Sequence, residues 1–233
     1  MQIFHAVYLV DAQGRHPAPF TQVTVDDIEA GRWHFNPAVA TAIGVTPQEG
    51  QAHLRHYVEA LKSGGKYDLI IWPYHAMLGG VGHALVPAVE EAVFFHSLAR
   101  RTQTDFQIKG DNPLTENYSV IGPEVTTGAN GQTIAAKNTK LIDALLGFDA
   151  IVVAGQAKSH CVAWTVDDLL RAIQARDARC AAKVYLLEDC TSPVVIPNVV
   201  DYTEEAEQAY ARFAAAGMHR VESSVPMEQW LDL

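Results

Sequence analysis

The clearest pattern of apolar and polar positions lies in the second half of the chain. Ala150-Ile151-Val152-Val153-Ala154-Gly155 is a short unbroken apolar run, as expected for a strand buried on both faces. After Gln156-Ala157-Lys158, Ser159 is placed to cap a helix whose apolar positions are Val162, Val166, Leu169, Leu170 and Ile173. Residues 183–187, with Val184-Tyr185-Leu186-Leu187 inside them, read as a second buried strand closed by Glu188-Asp189. Strand, helix, strand in this order is a βαβ unit, and the sheet it implies is parallel. Residues 141–146 form an apolar helical stretch ending near Gly147, and 204–216 a final helix stopped at Gly217.

The middle of the chain repeats the pattern. Residues 51–63 read as a helix ended by Gly64-Gly65, 67–72 as a strand, and 84–99 as a long helix with Pro87 in its first turn. Residues 106–108 read as a short strand ending at Lys109-Gly110. The first fifty residues fit less well. Residues 1–10 suit a strand, but His16-Pro17-Ala18-Pro19-Phe20 breaks the regularity and no clear helix precedes Gln51. A doubly wound sheet does not ordinarily open on so long an irregular segment. The expectation is a single α/β domain over residues 1–233, a three-layer α/β/α doubly wound and mainly parallel sheet, with a loop-rich segment at 1–50.

Composition narrows the function. Lys+Arg 17 against Asp+Glu 27 gives a net charge of −10, which argues against nucleic acid and anionic membrane surfaces as partners. No apolar run approaches the roughly 18–20 residues of a membrane span. Met1-Gln2-Ile3-Phe4-His5 lacks the basic start of a secretory signal. Three cysteines, Cys161, Cys180 and Cys190, lack metal-type spacing and suggest no disulfide scaffold. A cytoplasmic globular enzyme or binding domain is expected.

In parallel sheets, ligands bind beyond the carboxyl ends of strands. Three predicted strand ends carry reactive residues, and the predicted topology directs all three to one sheet edge: Trp72-Pro73-Tyr74-His75, Lys109-Gly110, and Gly155 through Cys161. Cys161 falls in the first turn of a helix, where the helix dipole favours a thiolate and backbone amides can bind an oxyanion. A buried structural cysteine is the alternative, and it is the expected reading of Cys180 and Cys190. Lys109 is either a solvated loop charge or, beside a thiol, a stabiliser or proton relay. His75 is either structural or a ligand. Trp72, Tyr74 and Tyr118 wall a pocket or pack in a core.

Taken together, Trp72-Pro73-Tyr74-His75, Lys109-Gly110, Glu116-Asn117-Tyr118-Ser119 and Gly155-Gln156-Ala157-Lys158-Ser159-His160-Cys161-Val162 resemble the isochorismatase-like cysteine hydrolases, the superfamily that includes nicotinamidases. The resemblance runs from about residue 66 to 195 in order and spacing. It implies Cys161 as the nucleophile on an amide carbonyl and Lys109 as the lysine of an Asp-Lys-Cys triad. It implies an oxyanion hole from the N–H groups of Ala157 and Cys161, a cis peptide at Gln156–Ala157, and a pocket lined by Trp72 and Tyr118. His75 matches a histidine that binds a divalent metal, often zinc, with His5 as an accessory ligand; no organic cofactor is implied. The substrate implied is a small amide, heteroaromatic or aromatic, and the family often forms homo-oligomers.

One part of the family pattern is missing. The family opens with a strand ending in the triad aspartate, a helix, and a strand ending in an Asp-x-His metal pair. Here Val7-Tyr8-Leu9-Val10-Asp11 imitates the first strand, yet no Asp-x-His follows before Trp72. Either Asp11 is the triad acid, or it is a loop residue and the chain lacks an opening unit on the order of 50 residues. Two functions follow: an active cysteine amidohydrolase, or a truncated or non-catalytic relative without the triad aspartate and metal pair. A doubly wound ligand-binding domain with unrelated chemistry is a third.

Overall fold

In a computed structural model, which describes residues 6–230, the chain packs as two compact units. The first holds the described residues up to Glu116 together with Thr127–Ile134, and the second holds Asn117–Thr126 and the residues from Ala135 onward.

The first unit is built from short pieces. Leu9–Val10 (β1), Gln22–Val23 (β2), Val25–Glu29 (α1) and His34–Phe35 (β3) precede Pro47–Ser63 (α2), Leu69–Ile70 (β4) and Pro87–Arg100 (α3). β1 pairs antiparallel with β3, and β2 pairs antiparallel with β4. Helix α2 starts four residues before the expected Gln51. Thr46 accepts from the Glu49 N–H while the Glu49 carboxylate accepts from Thr46, and Pro47 occupies the first turn, a complete capping box. Its buried face is Gly50, His53, Leu54, Tyr57, Val58 and Leu61, a 3.6-residue repeat. Gly50 is required there, since a Cβ would lie 2.3 Å from a Phe35 ring carbon. The described residues before α2 form short strands, turns and the five-residue α1.

The expected strand at 67–72 forms only as β4, and its pairing is antiparallel. No strand forms at 106–108; Phe106 and Ile108 are exposed and pair with nothing described as a ladder. Two apolar residues around a glutamine do not make a strand where no neighbouring strand offers a ladder. The helix expected at 84–99 is present as α3 with Pro87 at its start, yet it buries none of its residues.

The second unit carries the regular architecture. Thr139–Leu146 (α4) leads to Ile151–Val153 (β5), Ala163–Arg176 (α5), Val184–Leu187 (β6), Val195–Ile196 (β7), Val200–Asp201 (β8), Thr203–Ala215 (α6), His219–Val221 (β9) and Met227–Trp230 (α7). β5, β6 and β9 form a parallel sheet in that order, with Ile151 opposite Val184 and Tyr185 opposite His219. The predicted βαβ unit is therefore present, and a parallel sheet with intervening helices makes this an α/β fold. Its core joins Val166, Leu169 and Ile173 of α5 to Val184 and Leu186 of β6 and to Tyr210 and Phe213 of α6. The run 150–155 is not buried on both faces as expected. Only 151–153 form a strand, Val152 is exposed, and β5 lies at the edge of the three-stranded sheet.

Among the described residues no helix is long and apolar enough to cross a membrane.

Candidate functional site

The chain leaves β5 through Gly155, whose φ of 127° belongs to glycine, and its N–H donates to Cys190 O at 3.1 Å. The Gln156–Ala157 peptide is cis, where the resemblance places it. Ala157 is extended, with φ −99° and ψ 147°, and its carbonyl accepts from the N–H groups of His160 (3.0 Å) and Val162 (3.1 Å). Those bonds close a wide, π-helical turn over Lys158–Val162 that runs into α5. Cys161 sits in this turn, half-buried and outside any disulfide. The Ala157 N–H has no acceptor among the described residues, so a partly exposed thiol and an open amide donor occupy one turn beyond a parallel strand.

Ser159 does not cap the helix as expected. The turn begins one residue after Ala157, so Ser159 lies inside it, fully buried. Its hydroxyl accepts from the Val194 N–H (3.0 Å) and bonds the His160 Nδ1 (2.8 Å). The Lys158 N–H donates to Ser192 O at 2.8 Å, and Gln156 Oε1 accepts from the Ser192 hydroxyl at 3.1 Å. The turn is thus sewn to the segment 190–194 along its length.

Tyr118 belongs to the same unit and is buried. Its ring lies edge-on to His160 with centroids 5.2 Å apart, and the Tyr202 ring also meets that imidazole edge-on, at 4.6 Å. Burial among these rings pushes the His160 imidazole down to about 4. The Tyr118 N–H donates to the Glu124 carboxylate at 3.1 Å.

Beside the turn, Lys158 is buried, and its ammonium bonds Glu188, which directly follows β6, at 2.7 Å and also Glu207 of α6. Arg220 of β9 bonds the same two carboxylates, Glu207 at 2.8 Å. The Lys158 Nζ stands 4.3 Å from the Tyr210 ring centroid, and burial pushes the Tyr210 phenol up to about 12, with Glu188 adding to the shift. Lys158 and Arg220, donating to Glu207, hold that carboxyl below its usual range. Sequence reading did not single out Lys158, His160, Glu207 or Arg220. Its only signal was Glu188-Asp189 closing an apolar strand.

Trp72, His75 and Lys109 belong to the first unit. Trp72 and His75 come together, with ring centroids 6.3 Å apart, and Phe20 meets Trp72 at 5.9 Å. His75 is exposed, and its Nδ1 donates to Pro73 O at 2.7 Å. Lys109 is half-buried in an irregular segment, not at a strand end. Of the three strand ends expected at one edge, only that of β5 terminates a parallel strand. Asp11, also in this unit, follows β1 and closes a turn. Its carboxylate accepts from the N–H groups of Gln13 (2.8 Å) and Arg15 (2.9 Å) and pairs with the Arg15 guanidinium. The Arg15 backbone N–H, foremost among these, holds it below the usual carboxylate range.

His5 lies outside the described residues. Among the described residues no three His, Cys, Asp or Glu side chains gather as ligands for an ion. With its Nδ1 engaged by a carbonyl, His75 offers one nitrogen, and a bound divalent ion needs three or four ligands.

No protein-family model matches the chain, and no curated protein matches it. Among solved structures it is similar to a nicotinamidase and pyrazinamidase of Acinetobacter baumanii, with 18% identity over 68% of this chain and 62% of that one, and a TM-score of 0.37. The yeast nicotinamidase is similar at 21% identity over 69% and 63%, with a TM-score of 0.41. The same yeast enzyme bound to nicotinaldehyde gives 20% over 67% and 60%, also at 0.41. The chain spans about 60% of the length of the structures it matches.

Proposed function

We propose that this chain is a cysteine amidohydrolase of the isochorismatase-like, nicotinamidase type, with the three-layer doubly wound sheet of that superfamily. The observation that carries the reading is the turn after β5, where the half-buried Cys161 thiol and the open Ala157 N–H stand beyond the carboxyl end of a parallel strand. That pairing is what acyl transfer needs: a nucleophile, and a donor for the oxygen on which charge develops.

In this reading the Cys161 thiolate attacks the carbonyl carbon of a small heteroaromatic amide. The oxyanion accepts from the N–H groups of Ala157 and Cys161. The resemblance assigns to Lys109 the proton that the leaving nitrogen takes up; the C–N bond breaks, and ammonia departs from a thioester on Cys161. Water then adds to the thioester carbonyl and returns a proton to the lysine, the C–S bond breaks, and the acid leaves with the Cys161 thiolate regenerated. Lys109 has this role from the resemblance, as Trp72 and Tyr118 have theirs as pocket walls. The divalent ion of the resemblance joins the reading only if further ligands complete His75 and His5, and no step above runs through it. A cytoplasmic, homo-oligomeric enzyme without nucleic-acid or membrane partners is part of the same proposal.

The test is ammonia release from nicotinamide by the native chain and by Cys161→Ala. The native chain is expected to turn over and the variant to lose activity by about a thousandfold or more. Release by the variant at the native rate contradicts the proposal, and no release by either leaves a non-catalytic relative.

A further inference from the structure

We propose that Lys158 is the positioning residue of the Cys161 turn, tying it to a frame made by Glu188, Glu207 and Arg220. The proposal rests on Cys161 being the nucleophile. Lys158 opens the turn that contains Cys161, and its side chain is buried instead of reaching solvent, as a lysine in a loop ordinarily does. The ammonium bonds Glu188 at the end of β6 and Glu207 on α6. Arg220 on β9 pairs with both carboxylates as well. The frame thus draws on β6, α6 and β9 and keeps its own cation when Lys158 is removed. What the lysine adds is the link between that frame and the turn. The Tyr210 ring lies 4.3 Å from the ammonium, a cation–π contact.

A nucleophile and its oxyanion donors act only when held in register, and a displacement of about 1 Å can cost a hundredfold in rate. Lys158→Met removes the link at similar length. The experiment uses the whole chain and reads iodoacetamide labelling of each cysteine at pH 7.5 by peptide mass spectrometry, beside kcat and KM for nicotinamide. In the native chain Cys161 is expected to label faster than Cys190, although Cys190 is the more exposed. In Lys158→Met the Cys161 rate falls about tenfold while Cys190 is unchanged, and kcat falls about tenfold with KM within about twofold. Lys158→Arg, which keeps the charge and donors, returns both to within about threefold of native.

A folded Lys158→Met chain with native Cys161 labelling overturns the proposal. So does faster labelling of all three cysteines together, which would make the lysine a support of the fold alone. If that variant does not fold, Glu207→Gln decides: it takes one carboxylate from Lys158 while Glu188 still pairs with it. A drop of about threefold in Cys161 labelling supports the tie, and no change refutes it. Lysine-dependent labelling without nicotinamide turnover sinks the amidase reading and leaves this proposal standing. Cys161-dependent turnover indifferent to Lys158 does the reverse.

Discussion

Two stretches of this chain look alike in their hydrophobic pattern and end differently. Residues 67–99 and 150–173 each carry an apolar run followed by a helix with apolar residues on several faces. In the second, α5 buries Val166, Leu169, Leu170 and Ile173 against the parallel sheet. In the first, α3 forms with its proline at the start but leaves Val89, Phe94, Phe95 and Leu98 half or more exposed. Local pattern is enough to specify a helix. Burial also needs a sheet, and β4 offers two residues paired antiparallel where β6 offers four between two parallel neighbours. Burying one Leu or Val side chain contributes roughly 1.5–3 kcal/mol, so the two helices stand on very different footings.

The largest effect that separates them is a core truncation. Leu169→Ala in α5 is expected to cost about 3 kcal/mol in urea unfolding, because its side chain leaves a cavity in packed surroundings. Leu98→Ala in α3 should change stability by less than about 0.5 kcal/mol. Equal losses would mean that α3 is covered by something and that the contrast is false.

The next effect is a pH dependence. His160 is neutral in the fold, with its value lowered to about 4, while an unfolded histidine titrates near 6.5. Between those values the unfolded chain binds the extra proton, so stability is full above about 6.5 and is lost as pH falls toward 4. The contribution is on the order of 3 kcal/mol, and His160→Phe, which keeps a ring against Tyr118 and Tyr202, should flatten that part of the unfolding profile. An unchanged slope would show that the imidazole is solvated.

Thr46→Ala is smaller. It removes the side-chain half of the capping box on α2 and should cost about 1 kcal/mol. This box is also where the sequence was most readable and least read: Thr46-Pro47-Gln48-Glu49 marks a helix start by chemistry alone, four residues ahead of the apolar repeat.

Elsewhere, legibility followed the range of the interactions. The βαβ order of 150–187 was visible because each strand is a continuous apolar run and the helix repeats at 3.6 residues. Strand β9 was not, since His219-Arg220-Val221 has one aliphatic residue and owes its strand to pairing with β6. Cys161 could be singled out from its place after a strand. Ser159 reads as a cap in the sequence because capping residues and buried turn residues share the same chemistry, and only the register of the turn separates them. The Lys158 frame joins residues up to 62 positions apart, from Lys158 to Arg220, and no local pattern announces such a set.

On the function proposed for this chain, the thiol in the turn after β5 forms a covalent acyl intermediate. Rapid mixing of the whole chain with a heteroaromatic amide, acid quenching and peptide mass spectrometry tests it directly. The account predicts an acyl group on the peptide containing Cys161, absent from Cys161→Ala. Amide hydrolysis that proceeds with Cys161 unmodified, or with the acyl group on another residue, would contradict it.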